Sequence, residues 1–466
     1  MIKRLSLYSF FLAFLFFSLS AQPSSLTRSR TISAADARSS LDWVRTGIIY
    51  EIYPRSFSVE GNFAGIEKGL PSLKELGVSI LWLMPIHPVG VERRKGTLGS
   101  PYSIQDYYGI NPEFGMLDDF RRLVRRAHEM EFHIIIDLVA NHTSWDSKLI
   151  REHPDWFTKD STGKIISPNP DWHDVADLDY SQPGLRRYMI EMMKYWVRDI
   201  GIDGFRCDVA EMVPTDFWES ARAALDSVKP VIMLSEGSYP EHHLKAFDLT
   251  YSWNLYGALA PIMSGQRTAR EIDRILSTEE IQFPHNSLHL RFSSNHDETA
   301  WDKPDVEKFG ADGAKLAAVI VNTLPGVPLL YNGQEVGNPK KLGLFEKDPI
   351  DWPAGKEFTD FYKKLFSVRR THLALSVGSM FKLKTSQDRS VYAFARISGN
   401  DTVLVVYNFS QETFRGDLTL WLFGFRVSET AQFTDLLTDK KIPFNTEVKA
   451  LYIELPPMGY GLWSVH

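Results

Sequence analysis

Apolar and β-branched residues gather into eight short runs over the first three-quarters of the chain: Gly47 to Tyr53, Ile80 to Pro85, His133 to Val139, Gly204 to Val209, Val231 to Leu234, Phe247 to Trp253, Leu288 to Phe292 and Val327 to Tyr331. Each run is nearly continuous rather than alternating, as expected of parallel strands buried on both faces. Helical periods separate most of them. Leu117 to Met130 reads as a helix whose first turn carries Asp118 and Asp119, favourable beside the positive end of the helix dipole. Leu185, Met189, Met192, Trp196 and Ile200 share one helical face behind a starting Pro183. Pro214 to Val228, Gly313 to Thr323 and Phe358 to Ser376 are further helices. This alternation predicts an α/β fold, a (β/α)8 TIM barrel.

Two stretches depart from the rhythm. About forty residues separate the run ending near Val139 from the helix at Pro183, and they are rich in proline and aromatics. A loop that long in a compact domain is usually functional, and it predicts a small inserted subdomain after strand 3, over the barrel mouth. Beyond Gly378 the helical period disappears. Ser390 to Ile397, Thr402 to Asn408, Asp417 to Phe423 and Ala450 to Glu454 read as strands of a C-terminal antiparallel β domain. The chain divides into a signal peptide (1–21), a linker (22–40), a first part of the barrel (41–141), the inserted subdomain (142–180), a second part of the barrel (181–377) and the β domain (378–466).

The signal peptide rests on Lys3 and Arg4, the apolar run Leu5 to Leu19 and the small residues Ser20 and Ala21 before Gln22. The run is short for a bilayer span, so cleavage and a secreted or periplasmic protein are expected, with no membrane span in the mature chain. The single cysteine, Cys207, excludes an intramolecular disulfide, and its neighbour Asp208 should point to the opposite face of the same strand. A formal net charge of -6 argues against a nucleic-acid partner, which would favour a basic stripe.

Catalytic groups of such barrels stand at the C-terminal ends of the strands. The third run ends in Asp137-Leu138-Val139-Ala140-Asn141-His142, the fourth in Arg206-Cys207-Asp208, the fifth in Ser235-Glu236 and the seventh in Asn295-His296-Asp297. Any one acid there has an alternative reading as an N-cap or ion-pair partner. Together they gather more charge than structure alone explains, because burying it is costly. Asp208 and Glu236 end neighbouring strands, the arrangement in which one carboxylate attacks an anomeric carbon and another, about 5 Å away, protonates the leaving oxygen. Arg206 lies on the same strand face as Asp208 and can hold it ionised.

These motifs resemble the alpha-amylase family of glycoside hydrolases, from about Trp43 to the C-terminus. Asp137 to His142, Gly204 to Asp208, Glu236 and Ser294 to Asp297 look like the family's four regions in order. Ala176 to Asp179 and Gly326 to Glu335 are similar to its inserted-domain and eighth-strand motifs. The resemblance implies that Asp208 is the nucleophile, Glu236 the acid/base and Asp297 a third, transition-state-stabilising acid. It implies that His142, His296 and Arg206 contact the sugar or the nucleophile and that Tyr102 is a stacking platform, while Asp137 is structural. It also implies calcium, with Asn141 and Asp177 as ligands. Val209-Ala210-Glu211-Met212 lacks the Lys-His pair of many alpha-amylases, and Asp208-Val209-Ala210 followed by Val213-Pro214 and Phe217-Trp218 looks more like cyclomaltodextrinases and neopullulanases. The implied function is retaining hydrolysis of α-glucosidic, mainly α-1,4, bonds in starch, maltodextrin or maltooligosaccharides. The alternative is an α-glucan transglycosylase or isomerase with the same three acids. A catalytically inert glucan-binding protein is opposed by the intact acids.

Overall fold

The computed structural model describes residues 32–420, 431–442 and 450–465. The expected signal peptide, most of the linker and the end of the strand expected over 417–423 lie outside the described residues. Eight parallel strands close a barrel: Ile49–Ile52 (β1), Ile80–Leu83 (β2), His133–Leu138 (β3), Gly204–Cys207 (β4), Ile232–Ser235 (β5), Leu249–Tyr251 (β6), Leu288–Arg291 (β7) and Val327–Tyr331 (β8). They follow one another around the ring in chain order, and β8 returns to β1 with Ile49 opposite Leu329. Every apolar run of the first three-quarters of the sequence supplies one barrel strand, with ends that agree to within about two residues.

Two cores explain why those runs are continuous. Ile49, Ile80, Trp82, Ile135, Leu234 and Leu290 point into the barrel, while Tyr50, Leu81, Ile134, Ile136, Phe205 and Met233 point out against the helices. Successive residues of one strand therefore enter different cores, and neither face is left polar. Cys207 belongs to the outer core, and burial pushes its thiol well up, as expected of a structural cysteine. Gly204 opens β4 at φ +149°, where a Cβ would lie 1.9 Å from the Ile232 carbonyl oxygen. Glycine thus lets β4 and β5, which carry Asp208 and Glu236, pack side by side.

The expected helices form over Leu117–Glu129, Pro183–Tyr195, Thr215–Asp226, Asp305–Thr323 and Lys356–Thr371. The fourth begins earlier than its apolar period, because the chain is kinked at Gly310 (φ 72°). Helices Phe63–Leu76 and Trp253–Met263, not read from the sequence, each contain a proline that masks their period, Pro71 and Pro261. Glu271–Gln282 was likewise unread.

The insertion after β3 is closed at its base by an antiparallel pair, His142–Ser144 with Val175–Asp177. Ser144 N also donates to the Ile104 carbonyl (2.8 Å), tying the insertion to the loop after β2. The C-terminal domain contains Ser379–Leu383 (β9), Val391–Ser398 (β10), Asp401–Asn408 (β11), Phe414–Thr419 (β12), Phe433–Asp435 (β13), Lys441–Ile442 (β14), Ala450–Leu455 (β15) and Tyr460–Val465 (β16). They form a sheet in the order β9-β10-β11-β16-β13-β14 and a pair β12-β15. Val391, Leu404, Phe414, Leu451 and Trp463 pack between these two sheets. Arg396 Nη1 donates to the Thr323 carbonyl (2.7 Å), and the Tyr392 hydroxyl donates to Asp273 (2.7 Å), which fixes the domain to the barrel helices.

Candidate active site

Arg206 is the hub of the barrel mouth. It is fully buried, and Nη1 donates to Asp137 Oδ1 (2.9 Å) and Oδ2 (3.1 Å) and to Asp208 Oδ1 (2.9 Å). Nη2 lies 2.9 Å from Glu236 Oε2, an ion pair without hydrogen-bond directionality. Nε donates to the Tyr251 hydroxyl (3.3 Å). One guanidinium therefore positions the acids of β3, β4 and β5 together, as only a planar fork of donors can. Asp137, on the inner face of β3, binds this guanidinium and accepts from the Tyr102 hydroxyl (3.2 Å), so it is a positioning residue.

Glu236 is also held by backbone. Val209 stands in the left-handed region (φ 35°, ψ 47°), rare for a β-branched residue, and this turn aims its N–H at Glu236 Oε2 (2.7 Å). The Val209 N–H and the Arg206 guanidinium both lie at Oε2, not at Oε1.

The third acid and its histidine come from the turn after β7. Asn295 caps the short helix His296–Trp301 by accepting from Glu298 N (2.9 Å). His296 Nε2 faces the Tyr102 oxygen (2.7 Å) and Asp297 Oδ2 (3.2 Å), and the Tyr102 and His296 rings are stacked with centroids 5.4 Å apart. Nδ1 lies 2.5 Å from Glu51 Oε1 on β1. Glu51 is fully buried, and its Oε2 has no hydrogen-bond partner. The sequence reading missed Glu51, although a carboxylate in the apolar run Ile48 to Tyr53 was a visible signal.

Acids outnumber cations here, and the proton affinities show it. Burial pushes the Asp208 carboxyl well up, and the Glu236 charge adds to that, while Arg206 pulls it back. Burial also raises Asp137 and Glu51 against the pull of Arg206 and His296. Burial opposes ionisation of Asp297 too, but His296, Arg206 and the Trp301 indole outweigh it and hold that carboxyl low. Burial disfavours a charged His296; Asp297 and Glu51 overcome it and keep the imidazolium.

His142 is brought beside this network. Burial lowers its imidazole to about 4, an effect partly offset by Asp174 and by the Tyr102 carbonyl, so the ring is neutral at neutral pH. The Trp172 ring flanks it at 5.5 Å. The two residues expected to hold calcium, Asn141 and Asp177, have other contacts here. The Asn141 amide nitrogen turns to His142 Nδ1 (3.3 Å), and the Asp177 carboxyl, raised by burial, is engaged by Thr158. Among the described residues no three His, Cys, Asp or Glu side chains are grouped to hold a metal ion.

Comparison with known proteins identifies the family. The profile of the alpha amylase catalytic domain matches residues 51–402, and that of the maltogenic amylase C-terminal domain matches residues 381–462. The crystal structure of a noncanonic maltogenic alpha-amylase from Thermotoga neapolitana superimposes with a TM-score of 0.83 at 35% identity, covering 90% of this chain and 99% of that one. An alpha-amylase from Lactobacillus plantarum gives 0.81 at 31% identity, with the same coverage of 90% and 99%. An alpha-amylase of Haloarcula japonica is 29% identical over 396 residues; the match takes in 79% of this chain and spans 56% of the relative's length. The chain belongs to the alpha-amylase family of glycoside hydrolases.

Proposed function

We propose that this enzyme hydrolyses α-1,4-glucosidic bonds of starch, maltodextrin and maltooligosaccharides with retention of anomeric configuration. The observation that carries the reading is the Arg206 guanidinium at 2.9 Å from both Asp208 and Glu236, which holds two carboxyl groups of neighbouring strands in one cleft. Arg206 occupies Asp208 Oδ1, so Oδ2 is the oxygen that attacks the anomeric carbon. As that bond forms, the glycosidic bond breaks and Glu236 Oε1 gives its proton to the departing oxygen. The Glu236 carboxylate then takes a proton from water, which displaces Asp208 from the same carbon and releases an α-anomer. Two displacements at one carbon restore its configuration. Asp297 and the His296 imidazolium hold ring hydroxyls of the attacked sugar, with charge placed where the oxocarbenium-like transition state develops. Tyr102 supplies the ring on which that sugar lies.

Proton NMR of maltotetraose cleavage tests the scheme. Freshly released sugar of α configuration supports it, whereas initial β product sinks it. D208N should lower turnover by about 10⁴-fold or more. With maltotriose, exclusively shorter products indicate hydrolysis, and longer ones indicate transfer to a sugar.

The basic start at Lys3 and Arg4 and the apolar run after it support export from the cytoplasm. N-terminal sequencing of the mature protein checks this, with Gln22 expected first. No helix among the described residues is long and apolar enough to cross a membrane.

A further inference from the structure

We infer that Trp301 and Phe345 form a second stacking platform, for the glucosyl unit next to the attacked one on its non-reducing side. The inference rests on the proposed function above and adds to it the length of donor the cleft selects. Trp301 is 63% exposed, and it is the only exposed tryptophan among the described residues. Its indole thus keeps an apolar face in water that a ligand can cover. It lies four positions beyond Asp297 in the short helix His296–Trp301, hence on the same side one turn on.

The rim around it is continuous and fixed. The Trp301 and Phe345 rings are 5.9 Å apart and inclined at 60°. Phe345, Ala300 and Tyr102 all pack against one apolar cluster that includes Tyr53, Met84 and Leu344. Tyr102 and Phe345 thus rest on one apolar cluster, and Phe345 carries Trp301 at its side. The loop after β2 clamps it: Leu98 N donates to the Phe345 carbonyl (3.0 Å) and Thr97 N to Glu346 Oε1 (2.8 Å). Gly96 (φ +62°) allows this approach, since a Cβ there would stand 2.5 Å from that of Phe345.

The position of the acids sets the direction. The leaving group departs toward Glu236 on β5, while the attacked sugar is held by Tyr102, His296 and Asp297, from the loops after β2 and β7. The chain on the non-reducing side therefore passes over the loops of β7, β8 and β2, where Trp301 and Phe345 stand. A pyranose presents a flat array of C–H groups that an indole face covers, removing apolar surface from water. The site accordingly favours maltosyl and longer donors over single glucosyl donors.

The test uses the D208N protein, which binds without turnover, and calorimetric titration with maltotetraose. In that background W301A should weaken binding about tenfold, whereas W301F, which keeps a stacking face but loses the indole N–H, should weaken it less than threefold. Thermal melting of each variant establishes that the fold is intact. Equal affinity of W301A and its parent overturns the inference. So does a loss in W301F as large as in W301A, because Trp301 then acts through Asp297 rather than by stacking. If wild-type protein degrades starch while W301A binds normally, only this inference falls. If the D208N parent binds no maltotetraose and the wild type leaves starch intact, the proposed function falls with it.

Discussion

Glu51 Oε1 lies 2.5 Å from His296 Nδ1, and both side chains are withdrawn from solvent. The glutamate comes from the first strand of the barrel and the histidine from the turn after the seventh. The contact holds the imidazolium charged and aims its other nitrogen at Tyr102 and Asp297. Substituting E51Q keeps the shape and removes the negative charge. His296 then gives up its proton at lower pH, since a positive group loses the neighbour that stabilised it. The expected outcome is at least about a tenfold fall in kcat/KM on maltooligosaccharides. The alkaline limb of the pH–rate profile should also shift to lower pH. An unshifted limb would show that Glu51 does not govern the histidine.

Arg206 should tolerate no conservative replacement. Lysine keeps one charge but cannot reach Asp137, Asp208 and Glu236 at once. R206K is expected to lower kcat by about 10²- to 10³-fold. It should also destabilise the fold by about 3 kcal/mol, because buried carboxylates lose their partner. Steady-state kinetics and urea unfolding measure the two effects separately.

Glu335 makes stability depend on pH. Burial pushes its carboxyl up to about 7, against the pull of the Tyr50 hydroxyl and the Gly333 N–H. At pH 4 the group is protonated in the folded and unfolded chain and carries no penalty. As pH rises toward 7 the unfolded chain ionises first, so stability is lost, by about 3 kcal/mol once the folded group also ionises. E335Q should melt with the wild type at pH 4 and above it at pH 8. Equal melting temperatures at both values would refute this.

Chelation tests the metal question. Asn141 and Asp177 are the residues expected to hold calcium, and here the Asn141 amide nitrogen faces His142 Nδ1. If these two residues keep the partners seen here, excess EDTA shifts the melting temperature by less than about 1 °C. A drop of several degrees, reversed by calcium, would restore the ion to the insertion.

Much of the barrel was legible because each strand is buried on both faces, and an apolar run survives any one-dimensional reading. The helices Phe63–Leu76 and Trp253–Met263 were not, since Pro71 and Pro261 are strong local breakers that packing overrides. In the C-terminal domain Ser379–Leu383 and Tyr460–Val465 also escaped notice. Ser379–Leu383 is an edge strand whose exposed positions blur the apolar signal. At the site, strand ends exposed Arg206, Asp208, Glu236 and Asp297 as candidates, because acids beside apolar runs demand an explanation. Tyr102 and the histidines were named by resemblance, and the structure adds their contacts with Asp137, Glu51 and Trp172.

The sequence by itself determined the eight strands, their order and the polar groups at their ends, for those follow from local burial and period. Only the tertiary structure decided that Glu51 meets His296 across 245 positions, that one arginine spans three acids, and that Trp301 stands beside Phe345. Such pairings depend on the register and closure of the ring, and on backbone turns such as that at Val209. Hydrophobic periodicity places a residue on a face, but it carries no information about which distant residue shares that face.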